Sequence, residues 1–133
     1  MKSPCEVPRG DLLLRTLAMP ADTNDHGDIF GGWIMSQMDL AGGMLAKQLS
    51  SGRTATVAVD SMRFIEPVKV GDIVCCYGKL KRMGTTSMII EIEVWITPTL
   101  RDEKGECPQI KVTEASFAFV AIDDKGKKRP IPK

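Results

Sequence analysis

From Ile29 to Leu49 the chain is apolar almost without relief, with Gly31, Gly32, Gly42 and Gly43 set into the run. That length exceeds a typical strand, so residues 32–49 are predicted to form one helix despite the glycines. Trp33, Ile34, Met38, Leu40, Ala41, Met44, Leu45 and Leu49 surround this helix nearly all round, which predicts a buried central helix of the kind a sheet wraps. Gly42 and Gly43 each cost about 1 kcal/mol of helix propensity relative to alanine, and the expected compensation is close approach of another backbone.

The flanking sequence supplies a sheet. Leu12, Leu13, Leu14 and Leu17 suit a short edge strand that ends before Pro20, and the polar run 21–28 reads as a loop. Further strands are predicted over Ala55–Ile65, Ile73–Met83, Thr86–Thr97 and Ile110–Ile122. In the third of these, Thr86, Met88, Ile90, Ile92, Val94 and Ile96 share one face while Glu91 and Glu93 lie on the other, a period of two with one side in the core. In the last strand, Ala115, Phe117, Phe119 and Ala121 share a face. Strands joined by tight turns are antiparallel, so the fold class is α+β, one long helix on a curled antiparallel sheet. With 133 residues the chain is one domain, residues 11–133, behind a flexible leader over 1–10 that holds Pro4, Pro8 and Gly10. The open edges of such a sheet predict dimerisation or higher assembly.

Charge and composition exclude several functions. The 18 Lys+Arg against 17 Asp+Glu leave a formal charge of +1, which gives no electrostatic pull toward nucleic acid. No stretch approaches the roughly 20 apolar residues of a membrane span, and the first residues lack a signal peptide's apolar core, so membrane insertion and export are not expected. Cys75 and Cys76 are neighbours in a strand and point to opposite faces, so the four cysteines, with Cys5 and Cys107, are expected to be reduced thiols in the cytoplasm. No C-x-x-C spacing and a single histidine, His26, give no metal site.

Asp39 stands in the middle of the apolar helix, where a carboxylate is hard to explain by packing. In apolar surroundings it is a candidate base or nucleophile; the competing reading is a structural aspartate paired to an arginine or a backbone group. Gly31 and Gly32 leave backbone N–H groups open at the helix start, where the dipole favours an oxyanion, though a glycine turn has the same appearance. Asn24 offers a donor and an acceptor in the preceding loop. Gly31 and Asp39 are separated along the helix by roughly 12 Å, too far to reach one carbonyl. If both act on one substrate they belong to different subunits, which makes two composite sites per two-fold dimer. Cys75 and Cys76 have no adjacent base and are read as structural.

Four stretches carry a resemblance: Leu14-Arg15-Thr16-Leu17-Ala18-Met19-Pro20, D-T-N-x-x-G-D-I-F-G-G-W-I-M-S-Q-M-D over 22–39, V-A-V-x-S-M-x-F over 57–64, and V-G-D-x-V-C-C-Y-G over 70–78. Together they resemble the YciA-type bacterial acyl-CoA thioesterases, from about Leu12 to Pro132. The resemblance implies the hotdog fold, a sheet wrapped around one long helix, and hydrolysis of acyl-CoA to free acid and CoA with broad acyl tolerance. It implies a dimer as the minimal unit and a trimer of dimers beyond it, with acyl-CoA as the partner and no cofactor. It makes Asp39 the catalytic carboxylate, Asn24 the amide from the facing subunit, and Gly31 the N–H that polarises the thioester carbonyl. Gly32, Gly84, Thr85, Thr86 and Ser87 fall at the CoA or acyl site by the same likeness, whereas the residues of 84–87 alone read as a plain hairpin turn with β-favouring threonines. Lys81, Arg82, Lys127, Lys128 and Arg129 are candidates for the CoA phosphates, with a solvated basic tail an equally good reading of the last three. Two other readings stay open, a hotdog hydratase or dehydratase that would need His26, and a non-catalytic acyl-CoA sensor.

Overall fold

The apolar run forms a single helix, α1 (Gly31–Ser50), and the alternating segments form β1 (Asp11–Leu17), β2 (Thr54–Phe64), β3 (Ile73–Met83), β4 (Ser87–Thr97) and β5 (Ile110–Ala121). The structure, a computed structural model, describes residues 5–99 and 107–132. All neighbouring strands are antiparallel in the order β1-β3-β4-β5-β2, and α1 packs against all five. This is the hotdog arrangement. A short 3-10 turn at Pro20–Asp22, which the sequence pattern does not reveal, redirects the chain between β1 and the helix.

Strand periodicity builds the core. Along β4, Met88, Ile90, Ile92, Val94 and Ile96 are buried against the helix, and Phe117 and Phe119 of β5 join them from the next strand. From the helix come Ile34, Met38, Ala41 and Ala46. The opposite sheet face carries charge instead. Lys111 bridges Glu93 at 3.2 Å and also pairs with Glu114, while Lys81 meets Glu91 at 3.4 Å. Burial alone would raise the Glu93 carboxyl, but N–H donors from Arg9 and Trp95 and the Lys111 ammonium outweigh it and hold Glu93 below the usual carboxylate range.

Four expectations need correction. The helix is not covered on all sides: Met35, Leu40 and Met44 are exposed, Leu40 at 53%, because one sheet reaches only one face of a helix. β2 does not form a hairpin with β3 but lies at the far edge beside β5. The linking residues 65–72 can extend roughly 25 Å, well beyond the roughly 14 Å of three strand spacings.

The glycine pair has two different explanations rather than one. A Cβ on Gly42 would lie 2.6 Å from Ile92 Cδ1 and 2.9 Å from Phe119 Cζ, so side chains rather than a backbone press there, whereas one on Gly43 would meet only Phe119 Cε1, at 3.9 Å. Gly42→Ala is therefore expected to destabilise: overpacking of about 1–3 kcal/mol exceeds the roughly 1 kcal/mol of helix propensity gained. A thermal melt showing a lower Tm checks this, and a higher one contradicts it.

The cysteines are not all reduced. Cys5 and Cys107 form a disulfide, with Cα atoms 5.7 Å apart, joining segments distant in sequence that neighbour comparison alone cannot pair. Residues just after Cys5 are also tied to the sheet, where the Arg9 N–H donates to Glu93 and Gly10 (φ +94°) passes so close to Gly78 that a Cβ would lie 2.3 Å from its carbonyl oxygen. Cys75 and Cys76 are free and buried, and burial pushes the Cys76 thiol up to about 12 and raises Cys75 as well, so neither is a ready thiolate.

Candidate active site

Asp39 lies on the helix face that the sheet does not cover, exposed in the single chain. Its carboxylate Oδ1 accepts a hydrogen bond from Thr56 Oγ1 of β2 at 2.5 Å. The competing reading of an aspartate neutralised by an arginine is not what is seen: among the described residues, the Asp39 carboxylate meets the Thr56 hydroxyl and forms no ion pair with an arginine. A hydroxyl donor fixes the carboxylate's direction without neutralising it. Thr56 escaped the sequence analysis because threonine in a strand is unremarkable, and only the packing of α1 on the β2 edge brings it to Asp39.

Two clefts meet at the Asp39–Thr56 pair. One, of about 310 Å³, runs toward the start of α1 past Gly32, Met35, Val59 and Phe117. The other, of about 300 Å³, runs toward the end of α1 past Gly43, Met44, Lys47 and Thr54. The chemistry available is a directed carboxylate beside apolar walls, on a face whose Leu40 is more than half exposed.

Gly32 is the residue of the predicted set that lies in a cleft with Asp39. Gly31 begins the helix beside the Phe64 ring, and Phe30, the residue before it, gives no side-chain cap. The first intrahelical N–H bonds come from Trp33 and Ile34 to the Phe30 carbonyl, which leaves the Gly31 and Gly32 N–H groups facing outward in the positive end of the dipole. Asn24 sits exposed in the loop before the helix. Its Oδ1 accepts from the backbone N–H groups of His26 (2.9 Å) and Asp28 (3.2 Å), so its side-chain NH2 is the end turned to other work. The Ile29 N–H to Val68 carbonyl bond and the Asp28–Lys69 ion pair clamp that loop to the 65–72 connection.

Gly84, Thr85, Thr86 and Ser87 form the β3–β4 turn at the far end of the sheet, outside both clefts of the same chain. The Thr85 and Thr86 carbonyls accept the N–H groups of Ile131 and Ala121, which ties the turn to the end of β5 and to the C-terminal segment. Arg82 is exposed on β3 just before it.

Arg129 is corrected as a phosphate candidate. Its guanidinium donates to the carbonyls of Ser50, Arg53 and Ile122 and to Ser50 Oγ, closing the C-terminal end of α1. Cations are favourable at that end of a helix dipole. Arg129→Ala is expected to cost about 2 kcal/mol, since charged hydrogen bonds are lost and the Ser50 carbonyl is left buried. Denaturant titration reads this as a lower midpoint. Among the described residues no three His, Cys, Asp or Glu side chains are grouped to hold a metal, and no helix is long and apolar enough to cross a membrane.

A long helix cradled by an antiparallel sheet, with a carboxylate and a helix start on its open side, defines a hotdog thioesterase. Residues 26–101 match the family model described as the thioesterase superfamily. The chain belongs to that superfamily and, within it, to the YciA-type acyl-CoA thioester hydrolases. It is 54% identical to the acyl-CoA thioester hydrolase YciA of Escherichia coli over 99% of this chain and 98% of the relative. A solved Asp-to-Ala variant of HI0827, described as a hexameric broad specificity acyl-coenzyme A thioesterase, superposes with a TM-score of 0.89 at 54% identity, covering 94% of this chain and 88% of that one. The hexameric thioesterase y2039 from Yersinia pestis gives a TM-score of 0.85 at 52% identity, over 95% of this chain and 98% of its own.

Proposed function

We propose that the protein hydrolyses acyl-CoA thioesters to free acid and CoA, with broad acyl tolerance, at composite sites between two protomers. The observation that carries this reading is the Asp39 carboxylate, directed by Thr56 and standing at the junction of two apolar-walled clefts. Thioesters break readily, so a carboxylate and one or two N–H donors suffice, with no Ser-His-Asp set and no cofactor. Asp39 attacks the carbonyl or activates water. The Gly31 N–H polarises the carbonyl oxygen from the partner protomer, and that protomer's Asn24 amide donates beside it. Gly32 and the Gly84-Thr85-Thr86-Ser87 turn, with Arg82, serve the CoA and acyl portions.

The exposed apolar side chains of Met35, Leu40 and Val59 around the open face of α1 support a dimer, and the hexameric relatives support a trimer of dimers. The cytoplasm, where CoA thioesters are made and consumed, is the compartment this reading implies. The Cys5–Cys107 bond ties the leader to the sheet and lines neither cleft, so the chemistry does not depend on it.

Thiol release from acetyl-, butyryl- and palmitoyl-CoA tests the reading, with turnover expected on more than one chain length. Tight binding without turnover would support the sensor instead. His26→Ala separates the hydratase reading: hydrolysis is expected to stay within about threefold of wild type, far short of the 10²–10⁴ lost with a general base. His26 contributes its backbone N–H to the Asn24 turn, which the substitution keeps.

A further inference from the structure

Gly43 is a helix-interior glycine with no reason inside its own chain. Its neighbour Gly42 is pressed by Ile92 and Phe119, but the position of a Gly43 Cβ makes only an ordinary 3.9 Å contact with Phe119. Helix propensity therefore favours alanine there, and the glycine persists against it. The space it leaves belongs to the cleft of about 300 Å³ that also holds Asp39, Lys47, Thr54 and Thr56. Gly43 is one helical turn from Asp39, so its missing side chain opens the floor immediately beside the carboxylate.

The two clefts that meet at Asp39 are not equivalent once a second protomer is present. If the two helices pair antiparallel with the partner subunit's Gly31 at Asp39, as the composite reading requires, the two-fold axis passes near Met35, midway between these positions. The cleft holding Met35 and Val59 then lies at the axis, against the partner. The cleft holding Gly43 leads away from the axis past Leu40, Met44 and Phe119 and opens at the exposed Lys47, with the polar Thr54 on its wall. CoA is too large and charged to be enclosed and must reach solvent, whereas an acyl chain gains from apolar enclosure.

We propose that Gly43 is a substrate-positioning residue whose missing side chain clears the path of the pantetheine arm from Asp39 out toward Lys47. This rests on the catalytic reading of Asp39. The pantetheine arm is common to every acyl-CoA, so a methyl group at this position penalises all acyl lengths alike. An acyl-side role would penalise long chains and spare acetyl-CoA.

The test is Gly43→Ala, assayed by thiol release on acetyl-, butyryl- and palmitoyl-CoA, together with a thermal melt and sizing. The expected result is a Tm raised by about 3 °C, unchanged assembly, and a kcat/KM lowered about tenfold or more by a similar factor for all three substrates. Unchanged kinetics, a loss confined to long chains, a lowered Tm, failure to fold or dissociation of the assembly would each overturn the proposal. The catalytic reading fails separately, through activity that persists in Asp39→Ala. An active wild type with a silent Gly43→Ala removes only the present inference.

Discussion

Asp39→Ala protein is expected to fold and assemble like the wild type while releasing thiol from acyl-CoA about 10²–10⁴-fold more slowly, the range set by loss of a positioned base. The stability half follows from where Asp39 stands. Its carboxylate is exposed, and its hydrogen-bond partner Thr56 is exposed as well, so removing it strands no buried group. Surface changes of that kind usually fall within about 0.5 kcal/mol. The activity half follows from the clefts, because both converge on this carboxylate. Asp39→Asn keeps size and the bond to Thr56 while removing the charge, so it should lose nearly as much kcat with little change in KM. Thr56→Ala should cost less, because the carboxylate survives with a looser direction. Thiol release within tenfold of wild type in Asp39→Ala would remove Asp39 from the chemistry.

The second large effect is recovery by mixing. Asn24→Ala and Asp39→Ala proteins are each expected to be nearly inactive, yet refolding them together in equal amounts should return about a quarter of wild-type activity. Random pairing makes half of the dimers mixed, and each mixed dimer has one of its two sites intact. The geometry within one chain supports this outcome, since Asn24 lies in the loop ahead of the helix and lines neither cleft at Asp39. If one protomer supplied the whole site, mixing would restore nothing. A chain carrying both substitutions, mixed with wild type, provides the control: its mixed dimers keep no intact site when the two groups come from opposite chains, whereas the wild-type protomer would keep a whole site if one chain supplied both.

Much of the architecture was legible because burial imposes a strict period on residues such as Ile90, Ile92 and Val94, and because no strand accommodates the run ending at Leu49. The helix and all five strands therefore fall close to the predicted bounds. Partner choice among strands was less legible. Local pattern says that β2 exists but not that it seeks β5, since pairing depends on where the 65–72 connection carries the chain. The apolar excess on α1 was visible as residue types and misread as burial within one chain, because a sequence does not distinguish a face awaiting sheet from one awaiting a second protomer. Asp39 was conspicuous as a charge among oils. Thr56 and the clamp made by Arg129 were silent, because each takes its meaning from a neighbour distant along the chain.

The placement of β2 at the far edge has a consequence for how the molecule comes into being. β3 and β4 can zip together as a local hairpin, but β2 has β5 as its sheet neighbour, so it waits until the last strand has been made. A nascent chain emerging from the ribosome thus displays Asp39 long before the strand bearing Thr56 can settle beside it. Competence is the last thing acquired, and a polypeptide released before β5 would retain its acid without the wall that aims it.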